Sequence, residues 1–308
     1  MAKKHSIGAR LLETWLYVHG LMPLAYHHFW AGVLAWLLGD VLHYRSHVVL
    51  VNLSRSFPEK SYEEIAQIRK RFYRHLANIF VESVWFSACR GEWGRKRFHK
   101  SHILEFTNPE EWNRLSRDRQ LMALQAHTGN WELMGGIGES AYTEPLNTTA
   151  EQIAVVYLNF RSRAWNQAME WARTAPVSDT RFKGYVEAGD VLRFVLENRH
   201  RQPFFYLFNT DQAPYRASGS LSLEFMHQPC RSMTGAAALA CRLDMAAAYL
   251  RFDCRPEGGY ALTVVPLSEH ASETDAETLM RKYYQLLEED LRRQPWNYLW
   301  THRRWKTL

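Results

Sequence analysis

The sequence has few cysteines, and none of them stand close together. The four are Cys89, Cys230, Cys241 and Cys254, and no C-x-x-C pair occurs. This spacing argues against a zinc ribbon, a dithiol redox centre and the disulfide framework of a small secreted domain. We therefore expect a reducing, cytosol-facing location.

Charged residues are missing from one long stretch near the amino terminus. The 26 residues from Thr14 to Gly39 contain no Asp, Glu, Lys or Arg, whereas a helix needs only about 20 residues to cross a bilayer. Gly20 and Pro23 interrupt the stretch, which predicts a kinked hydrophobic anchor helix within residues 1–43 that spans the membrane or lies in one leaflet. No small-residue cleavage site follows it, which argues against a signal peptide. The alternative is a buried amphipathic hairpin of a soluble enzyme.

The net charge is modest and positive. Lys and Arg number 38 against 32 Asp and Glu, which gives a formal net charge of +6. This balance favours acidic protein surfaces, phosphate groups or anionic lipids as partners without selecting among them. No nucleic-acid-binding motif accompanies the basic residues, so we expect no nucleic-acid partner.

Helical and extended patterns alternate along the rest of the chain. Ser61 and Glu64 form an S-x-x-E capping box before apolar residues spaced three and four apart, which predicts a helix to about Ala88. Predicted strands over 103–106, 121–126, 153–157 and 204–208 then alternate with predicted helices over 109–115, 163–173 and 191–198, and the segments 236–243, 246–252, 260–265 and 278–293 complete the order. The pattern predicts an α/β fold with a central mixed sheet flanked by helices, as one catalytic domain over residues 44–308.

A histidine directly follows one of the predicted strands. The strand 121–126 leads into His127-Thr-Gly-Asn-Trp-Glu132, and functional groups of open α/β sheets gather beyond the carboxyl ends of strands. If a helix begins at Asn130 or Trp131, Glu132 lies in its first turn and can accept one ring N–H of His127. Such a carboxylate fixes the tautomer and raises the basicity of the other ring nitrogen, which suits it to remove a proton from a hydroxyl group.

A second polar loop is predicted at the same edge of the sheet. The segment Thr210-Asp211-Gln212-Ala213-Pro214 follows the apolar stretch 203–209. Asp211 is a candidate to orient a substrate hydroxyl or a basic side chain, and the alternative is an Asx turn before Pro214. The two loops together predict a site built where two strands end.

Motifs of several other enzyme classes are absent from the sequence. H-x4-E lacks the histidine pair of H-E-x-x-H and a third ligand at an obvious spacing, so we expect no metal site. The glycines at 129, 135, 136 and 138 match neither G-x-G-x-x-G nor a Walker sequence. No G-x-S-x-G nucleophile elbow occurs, so a serine lipase mechanism has no support.

His127-Thr-Gly-Asn-Trp-Glu132 resembles the H-x4-D/E signature of glycerolipid acyltransferases, in the H-x-G-N-W-E form of the late acyltransferases of lipid A biosynthesis. Further similarities follow in the expected order between residues 44 and 306: Tyr44-Arg45, the segment 51–58, Val155-Val-Tyr157, Asp211-Gln212, Thr234-Gly235 and the segment 300–306. The resemblance implies transfer of a fatty acyl group, usually from acyl carrier protein, to a hydroxyl of a disaccharide lipid at the cytoplasmic face of the inner membrane. It implies no metal or nucleotide cofactor.

By this resemblance, His127 is the general base and Glu132 is its orienting carboxylate. Six further residues are candidates for substrate contacts, namely Asn130, Trp131, Tyr157, Arg161, Asp211 and Arg303. Arg303 belongs to an aromatic and basic stretch that suits lipid phosphates or the acidic surface of acyl carrier protein. The alternative for this stretch is tryptophan packing with solvated arginine. The expected partners are therefore acyl carrier protein, a lipid acceptor and the membrane.

The chain departs from the family pattern at two places. Leu158 stands where members commonly carry Arg after the tyrosine, and Phe225-Met-His replaces the usual Phe-Phe-Gly. Acceptor or chain-length preference can therefore differ, and Met134, Phe160 or Phe225 are candidates to close the acyl groove. Two alternatives stay open, namely acylation of a lysophospholipid or amino-acid lipid, and a non-catalytic lipid-binding protein at the membrane.

Overall fold

The computed structural model describes residues 5–177, 184–200, 204–214 and 220–305. Residues 1–4 and 306–308, at the outer ends of the two predicted domains, lie outside the described residues. The helices are α1 (Ile7–Gly20), α2 (Leu24–Trp36), α3 (Ser46–Ser56), α4 (Tyr62–Ser87), α5 (Gly91–Ser101), α6 (Pro109–Leu115), α7 (Arg163–Arg173), α8 (Val191–Asn198), α9 (Gly235–Arg242) and α10 (Ala276–Arg293). The strands are β1 (Leu104–Phe106), β2 (Leu121–Gln125), β3 (Ile153–Tyr157), β4 (Tyr185–Glu187), β5 (Phe205–Asn209), β6 (Ser220–Phe225), β7 (Gln228–Met233), β8 (Ala246–Cys254) and β9 (Tyr260–Ser268).

Seven of these strands form a central sheet in the order β1-β9-β8-β2-β5-β3-β4. β2 pairs in parallel with β5 and β8, and β3 pairs in parallel with β5 and β4. β9 runs antiparallel to β8 and parallel to β1. The predicted α/β fold with a mixed sheet flanked by helices is therefore confirmed. β6 and β7, which the sequence patterns did not predict, form a separate antiparallel hairpin.

Apolar side chains cover both faces of the central sheet. In β2, Met122 belongs to the buried cluster that contains Leu76 of α4, whereas Leu121 belongs to the opposite cluster with Phe98 of α5. Successive side chains of a strand point to opposite faces, so an unbroken apolar run marks a strand covered on both sides. This burial explains why the sequence pattern predicts a strand over 121–126, which the structure has over Leu121–Gln125.

The register between β2 and β5 sets the position of the site. Gln125, the last residue of β2, pairs with Asn209, the last residue of β5. β3 is the next strand of the sheet after β5 and runs parallel to it, with Val155 opposite Leu207. The carboxyl ends of these three strands therefore share one edge of the sheet, where the segments after β2, β5 and β3 meet.

The uncharged amino-terminal segment forms two helices rather than the single predicted anchor helix. α1 and α2, which continues as a π-helix over Leu37–Val41, are bent by 111° relative to each other. A Cβ on Gly20 would meet the backbone oxygen of Val84 at 2.5 Å. The guanidinium of Arg97 donates to the carbonyl oxygens of Gly20 and Met22 at 2.8 and 2.6 Å. The predicted break at Gly20 and Pro23 is confirmed, and α4 and α5 hold it in place.

The helix pair α1–α2 packs on the α/β domain and exposes its other side. Both helices contact α4, and α1 also contacts α7. Within the part of the chain that the structure describes, no single helix is long and apolar enough to cross a membrane; α1 and α2 meet that requirement only together. The exposed side chains of the pair, here called the outer apolar face, include Ile7, Leu11, Trp15, Tyr17, Val18, Leu21, Met22, Tyr26, Phe29, Trp30, Val33 and Trp36.

Candidate active site

The structure brings His127 and Asp211 together at the shared strand edge. Each follows its strand by two residues, His127 after β2 and Asp211 after β5. The ring nitrogen Nδ1 of His127 donates to Oδ1 of Asp211 at 2.8 Å. The imidazole is 14% exposed and the carboxylate 2% exposed. Two loops that are 84 residues apart in the chain thus form one hydrogen-bonded pair.

The partners of His127 define which ring nitrogen can act as a base. Because Asp211 accepts the proton of Nδ1, the lone pair remains on Nε2, and the side-chain amide of Gln212 donates to that nitrogen at 3.3 Å. Burial alone would raise the pKa of Asp211, but its interaction with His127 and the positive charge of Arg304 outweigh burial and hold that pKa below its ordinary value. Asp211 therefore stays ionised and fixes the tautomer of the histidine.

Glu132 lies in the same site but has a different partner from the one predicted. Its carboxylate accepts from Nε and a terminal nitrogen of Arg173 at 2.5 and 2.7 Å, and from the indole N–H of Trp131 at 3.0 Å. The prediction that Glu132 accepts the ring N–H of His127 is thus wrong, because Asp211 holds that position. A bidentate guanidinium is a stronger partner for a carboxylate than a neutral imidazole.

The Glu132–Arg173 pair is electrostatically coupled to the rest of the site. Burial would raise the pKa of Glu132, but the guanidinium of Arg173 outweighs burial, with a smaller contribution from His127, and the pKa lies below its ordinary value. Arg173 also donates to the hydroxyl of Tyr185 at 2.8 Å. The last residue of α7 therefore links the segment after β2 to β4.

A cavity of about 670 Å³ opens beside these residues. His127, Glu132, Arg173 and Gln212 form one polar part of its lining, and Arg95 and Glu139, paired at 3.6 Å, form a second charged part. Most of the remaining lining is apolar: Trp131, Met134, Ile137, Ala150, Ile153, Val155, Val156, Tyr157, Leu158, Phe160, Val177, Val191, Phe208 and Met233. The lining includes both ends of β3, Ile153 and Tyr157, so the cavity extends along the whole strand, about 13 Å at the usual rise per residue. A long apolar group with its reactive end at His127 would fit this shape.

The other predicted substrate residues fall into three groups. Trp131 and Tyr157 line the cavity, and the ring of Tyr157 stacks on Tyr185 with centroids 3.8 Å apart. Asn130 is fully buried and is not among the residues that line the cavity. Arg161 and Arg303 are exposed and are not among the residues that line the cavity, and their proposed substrate contacts stay predictions.

The candidates for closing the acyl groove are also separated by the structure. Met134 and Phe160 line the cavity. Phe225 is buried at the end of β6, where its ring stacks on Trp305 and meets Tyr284 edge-on. It therefore fills the core, and its predicted role in chain length is corrected because its side chain does not border the cavity.

Three residues of the site were not predicted from the sequence. Arg173 comes from the end of α7, Gln212 from the position after Asp211, and Arg304 from the carboxyl-terminal segment. Arg304 is buried and donates to the hydroxyl of Tyr284 at 2.8 Å. Among the described residues, no three His, Cys, Asp or Glu side chains converge as ligands of a metal ion would.

Comparison with known proteins gives concordant matches over nearly the whole chain. A family model described as bacterial lipid A biosynthesis acyltransferase matches residues 3–307. The chain is also similar to the lipid A biosynthesis palmitoleoyltransferase of Escherichia coli (strain K12) and to the lipid A biosynthesis acyltransferase of Shigella flexneri. Each relative is 24% identical over 278 residues, which cover 85% of this chain and 79% of the relative. The family match includes every residue of the site.

Proposed function

Because the chain belongs to the bacterial lipid A biosynthesis acyltransferase family, and is therefore an acyltransferase, we propose that it moves a fatty acyl group from acyl carrier protein to a hydroxyl group of a lipid A precursor. The observation that carries this proposal is the His127–Asp211 pair beside a long and mostly apolar cavity. The resemblance of the site loops to the family supports acyl carrier protein as the donor. The name of the Escherichia coli relative, a palmitoleoyltransferase, supports a long acyl chain.

The proposed reaction begins at Nε2 of His127. This nitrogen removes the proton of the acceptor hydroxyl while the oxygen attacks the thioester carbonyl carbon, so that a tetrahedral oxyanion forms. As the carbonyl is restored, the carbon–sulfur bond breaks, and the thiolate of the carrier takes the proton from the imidazolium. Asp211 stabilises the positive charge of the imidazolium and holds the ring in place. No covalent acyl-enzyme is needed.

Gln212 has the position for a second role in the same step. Its amide donates to Nε2 of His127 at 3.3 Å, where the acceptor hydroxyl has to bind. When the hydroxyl replaces this contact, the amide N–H groups are free to donate to the oxyanion that forms beside them. Donors fixed at that place stabilise the charge that develops in the transition state.

We propose that the outer apolar face of α1 and α2 attaches the protein to the cytoplasmic face of the inner membrane. Helices with aromatic and aliphatic side chains on one side lie in the plane of the membrane surface, and the bend of 111° between α1 and α2 suits one leaflet rather than a straight span. The outer apolar face extends from α1 onto α7, because Gly8 of α1 lies against Ala164 of α7. Trp165, the next residue of α7, is exposed, and its ring centroid lies 6.5 Å from that of Phe160, which lines the cavity. The outer apolar face therefore continues through Trp165 to the cavity.

Positive charge beside the outer apolar face supports contact with an anionic lipid surface. Arg10 in the first turn of α1, Arg161 just before α7 and Arg163 at the start of α7 are exposed, and α1 packs against α7. Basic residues beside an apolar helix face add electrostatic attraction to acidic lipid headgroups. A lipid acceptor could then enter the cavity from the membrane past Phe160 without crossing water.

Transfer by the purified full-length protein in detergent tests the proposal. The donor is acyl carrier protein charged with a radiolabelled palmitoleoyl group, and the acceptor is a lipid A precursor with a free hydroxyl. We expect labelled lipid from the wild type, no transfer from His127→Ala, and full transfer from His47→Ala, which changes an exposed histidine of α3.

Parallel reactions separate the alternatives for donor and acceptor. Transfer from acyl-coenzyme A alone would overturn the carrier protein as donor. Transfer only to a lysophospholipid or an amino-acid lipid would overturn the lipid A precursor as acceptor. Wild-type activity that survives in His127→Ala would reject the proposed base.

A further inference from the structure

A buried carboxylate outside the reaction centre connects three parts of the chain. Glu82 lies in α4 and is 2% exposed. Its Oε2 accepts from the side-chain amide of Asn130 and from the hydroxyl of Tyr260, both at 2.8 Å. Its Oε1 accepts from Nε2 of His28 in α2 at 2.9 Å. A buried carboxylate is costly unless its oxygens are hydrogen-bonded, and here both oxygens have donors.

Asn130 transmits this contact to the segment that carries the site. Its amide nitrogen donates to Glu82, while its Oδ1 accepts the backbone N–H of Glu132 at 3.2 Å. Asn130 therefore caps the 3-10 helix over Trp131–Glu139, at whose start Trp131 and Glu132 enter the cavity. Glu82 fixes the orientation of the Asn130 amide, because its Oε2 accepts at this contact and the NH2 group is the side of the amide that donates.

Other contacts hold the two ends and the turn of the segment between His127 and Glu132, and at its second end the carboxylate of Glu132 is paired with Arg173. His127 is held by Asp211, and the backbone N–H of Gly129 donates to Oδ1 of Asn297 at 2.6 Å. Gly129 has a φ of +56° and lies so close to Phe252 that a Cβ would be 2.0 Å from the ring. The turn between His127 and the 3-10 helix is thus tight, and the Glu82–Asn130 bond fixes its second half.

We infer that Glu82 is a positioning residue for acyl transfer, which sets the place of the segment 127–132 through Asn130, and that His28 makes the helix pair α1–α2 part of this arrangement. The inference rests on the proposed function for its kinetic consequence. His28 is followed by Phe29 and Trp30 of the outer apolar face. Two hydrogen bonds, from His28 to Glu82 and from Asn130 to Glu82, therefore join the proposed membrane-binding helices to the catalytic segment.

Replacement of Glu82 tests the positioning role. We expect Glu82→Ala to lower kcat on the order of 10²-fold, the usual consequence of a displacement near 1 Å in an active site, with KM for the acyl donor nearly unchanged because no substrate contact is lost. Glu82→Gln keeps an oxygen that can accept from Asn130, so we expect it to retain most of the activity. Ser83→Ala is the matched control, since Ser83 is the next residue of α4 and donates to the carbonyl of Ile79 in its own helix.

Two further measurements distinguish positioning from a contribution to folding alone. If Glu82 acts through Asn130, the effects of Glu82→Ala and Asn130→Ala on kcat are non-additive, and the double variant is no slower than the slower single variant. Amide hydrogen exchange should become faster in the segment 127–132 of Glu82→Ala, as in Asn130→Ala, and stay at the wild-type rate in the central strands. Lower thermal stability with wild-type kcat per folded molecule and unchanged exchange would overturn the inference.

The contribution of His28 has its own test in the same preparations. We expect His28→Ala to lower kcat about fivefold, as for the loss of one ordinary hydrogen bond, while His19→Ala, in the other helix of the pair, leaves kcat unchanged. Equal activity of the two variants would remove the helix pair from the arrangement. If the wild-type protein transfers no acyl group at all, the proposed function fails, and the exchange rates of Glu82→Ala and Glu82→Gln still decide whether Glu82 positions the segment.

Discussion

The imidazole of His127 is hydrogen-bonded through Nδ1 to Asp211 at 2.8 Å, although the two residues are 84 positions apart in the chain. The contact exists because β2 and β5 are parallel neighbours whose last residues, Gln125 and Asn209, are paired. The carboxylate that orients the base therefore comes from the loop after β5. Glu132, which lies in the same loop as the base, pairs with Arg173 instead. The two carboxylates of the site therefore have separable effects.

Asp211→Asn should reduce the rate in a protein that still folds, with some loss of stability because buried Arg304 loses a nearby negative charge. Asn has the same shape, but its amide can present an N–H to Nδ1 and so favour the wrong tautomer, with the proton on Nε2. We expect kcat to fall by about 10²- to 10⁴-fold, the range of general-base contributions, while the KM for the acyl donor changes little. Steady-state kinetics and thermal unfolding of the purified variant provide the check. A variant with wild-type kcat would show that Asp211 does not orient the base.

Glu132→Gln should reduce stability as well as activity. The substitution leaves the partly buried guanidinium of Arg173, which is 24% exposed, without its counter-charge. The loss is at most about 3 kcal/mol, the lower end of the range for fully buried pairs. Chemical denaturation measures this loss of the free energy of unfolding. Glu111→Gln is the control, since it breaks an exposed pair with Arg114 that should contribute at most about 1 kcal/mol. Equal effects of the two substitutions would mean that the Glu132–Arg173 pair does not stabilise the fold.

The strand edge and two of the site residues could be predicted because their signals are local. The apolar run of β2 ends directly before His127, and that of β5 shortly before Asp211, so the strand-end rule placed both residues at one edge. The interruption of the amino-terminal segment was likewise predictable, because Gly20 and Pro23 both disfavour a continuous helix.

The partners of the site residues could not be predicted, because tertiary packing selects them. Arg173 reaches Glu132 only through the docking of α7 beside the segment after β2. In the carboxyl-terminal segment, Arg303 was the predicted contact, yet Arg304 is the buried arginine. That segment is neither helix nor strand, so no periodicity indicates which of two adjacent arginines points inward. Glu82 gave no signal either, since a lone Glu in an amphipathic helix normally faces water.

The far end of the cavity offers a test of acyl-chain length. Ala150 lies just before β3, at the end opposite Tyr157 and the strand edge that carries His127. Ala150→Phe should fill this end and shift the preferred donor towards shorter chains, because each methylene that no longer fits costs about 1–3 kcal/mol. Competition between carrier-bound chains of different length, read by mass spectrometry, measures the shift. Ala150→Ser is the control of similar size, and an unchanged preference in Ala150→Phe would place the end of the chain elsewhere.

His75 should make the stability of the protein decrease as the pH falls below neutrality. It lies in α4, is 5% exposed and meets the ring of Tyr260 edge-on, and burial lowers its pKa from 6.5 to about 4. Between these two values the unfolded chain binds a proton that the folded protein does not. The free energy of unfolding therefore falls with acidification through this window, on the order of 3 kcal/mol in total from this residue.

Denaturation of His75→Phe at a series of pH values from 7 to 4 tests this expectation. Removal of the titrating ring should make the decline of the free energy of unfolding with acidification shallower by that amount. Ile79→Val, one turn along the same helix, should lower stability by about 1 kcal/mol at every pH without changing the decline. The stability that Glu132 and Asp211 contribute is lost as the pH falls through their ordinary pKa values of 4.5 and 3.8, at the acidic end of the series. Burial also lowers the pKa of His27 to about 4. Both contributions are the same in His75→Phe as in the wild type, so the difference between the two proteins isolates His75. A decline as steep in His75→Phe as in the wild type would mean that another group binds the proton.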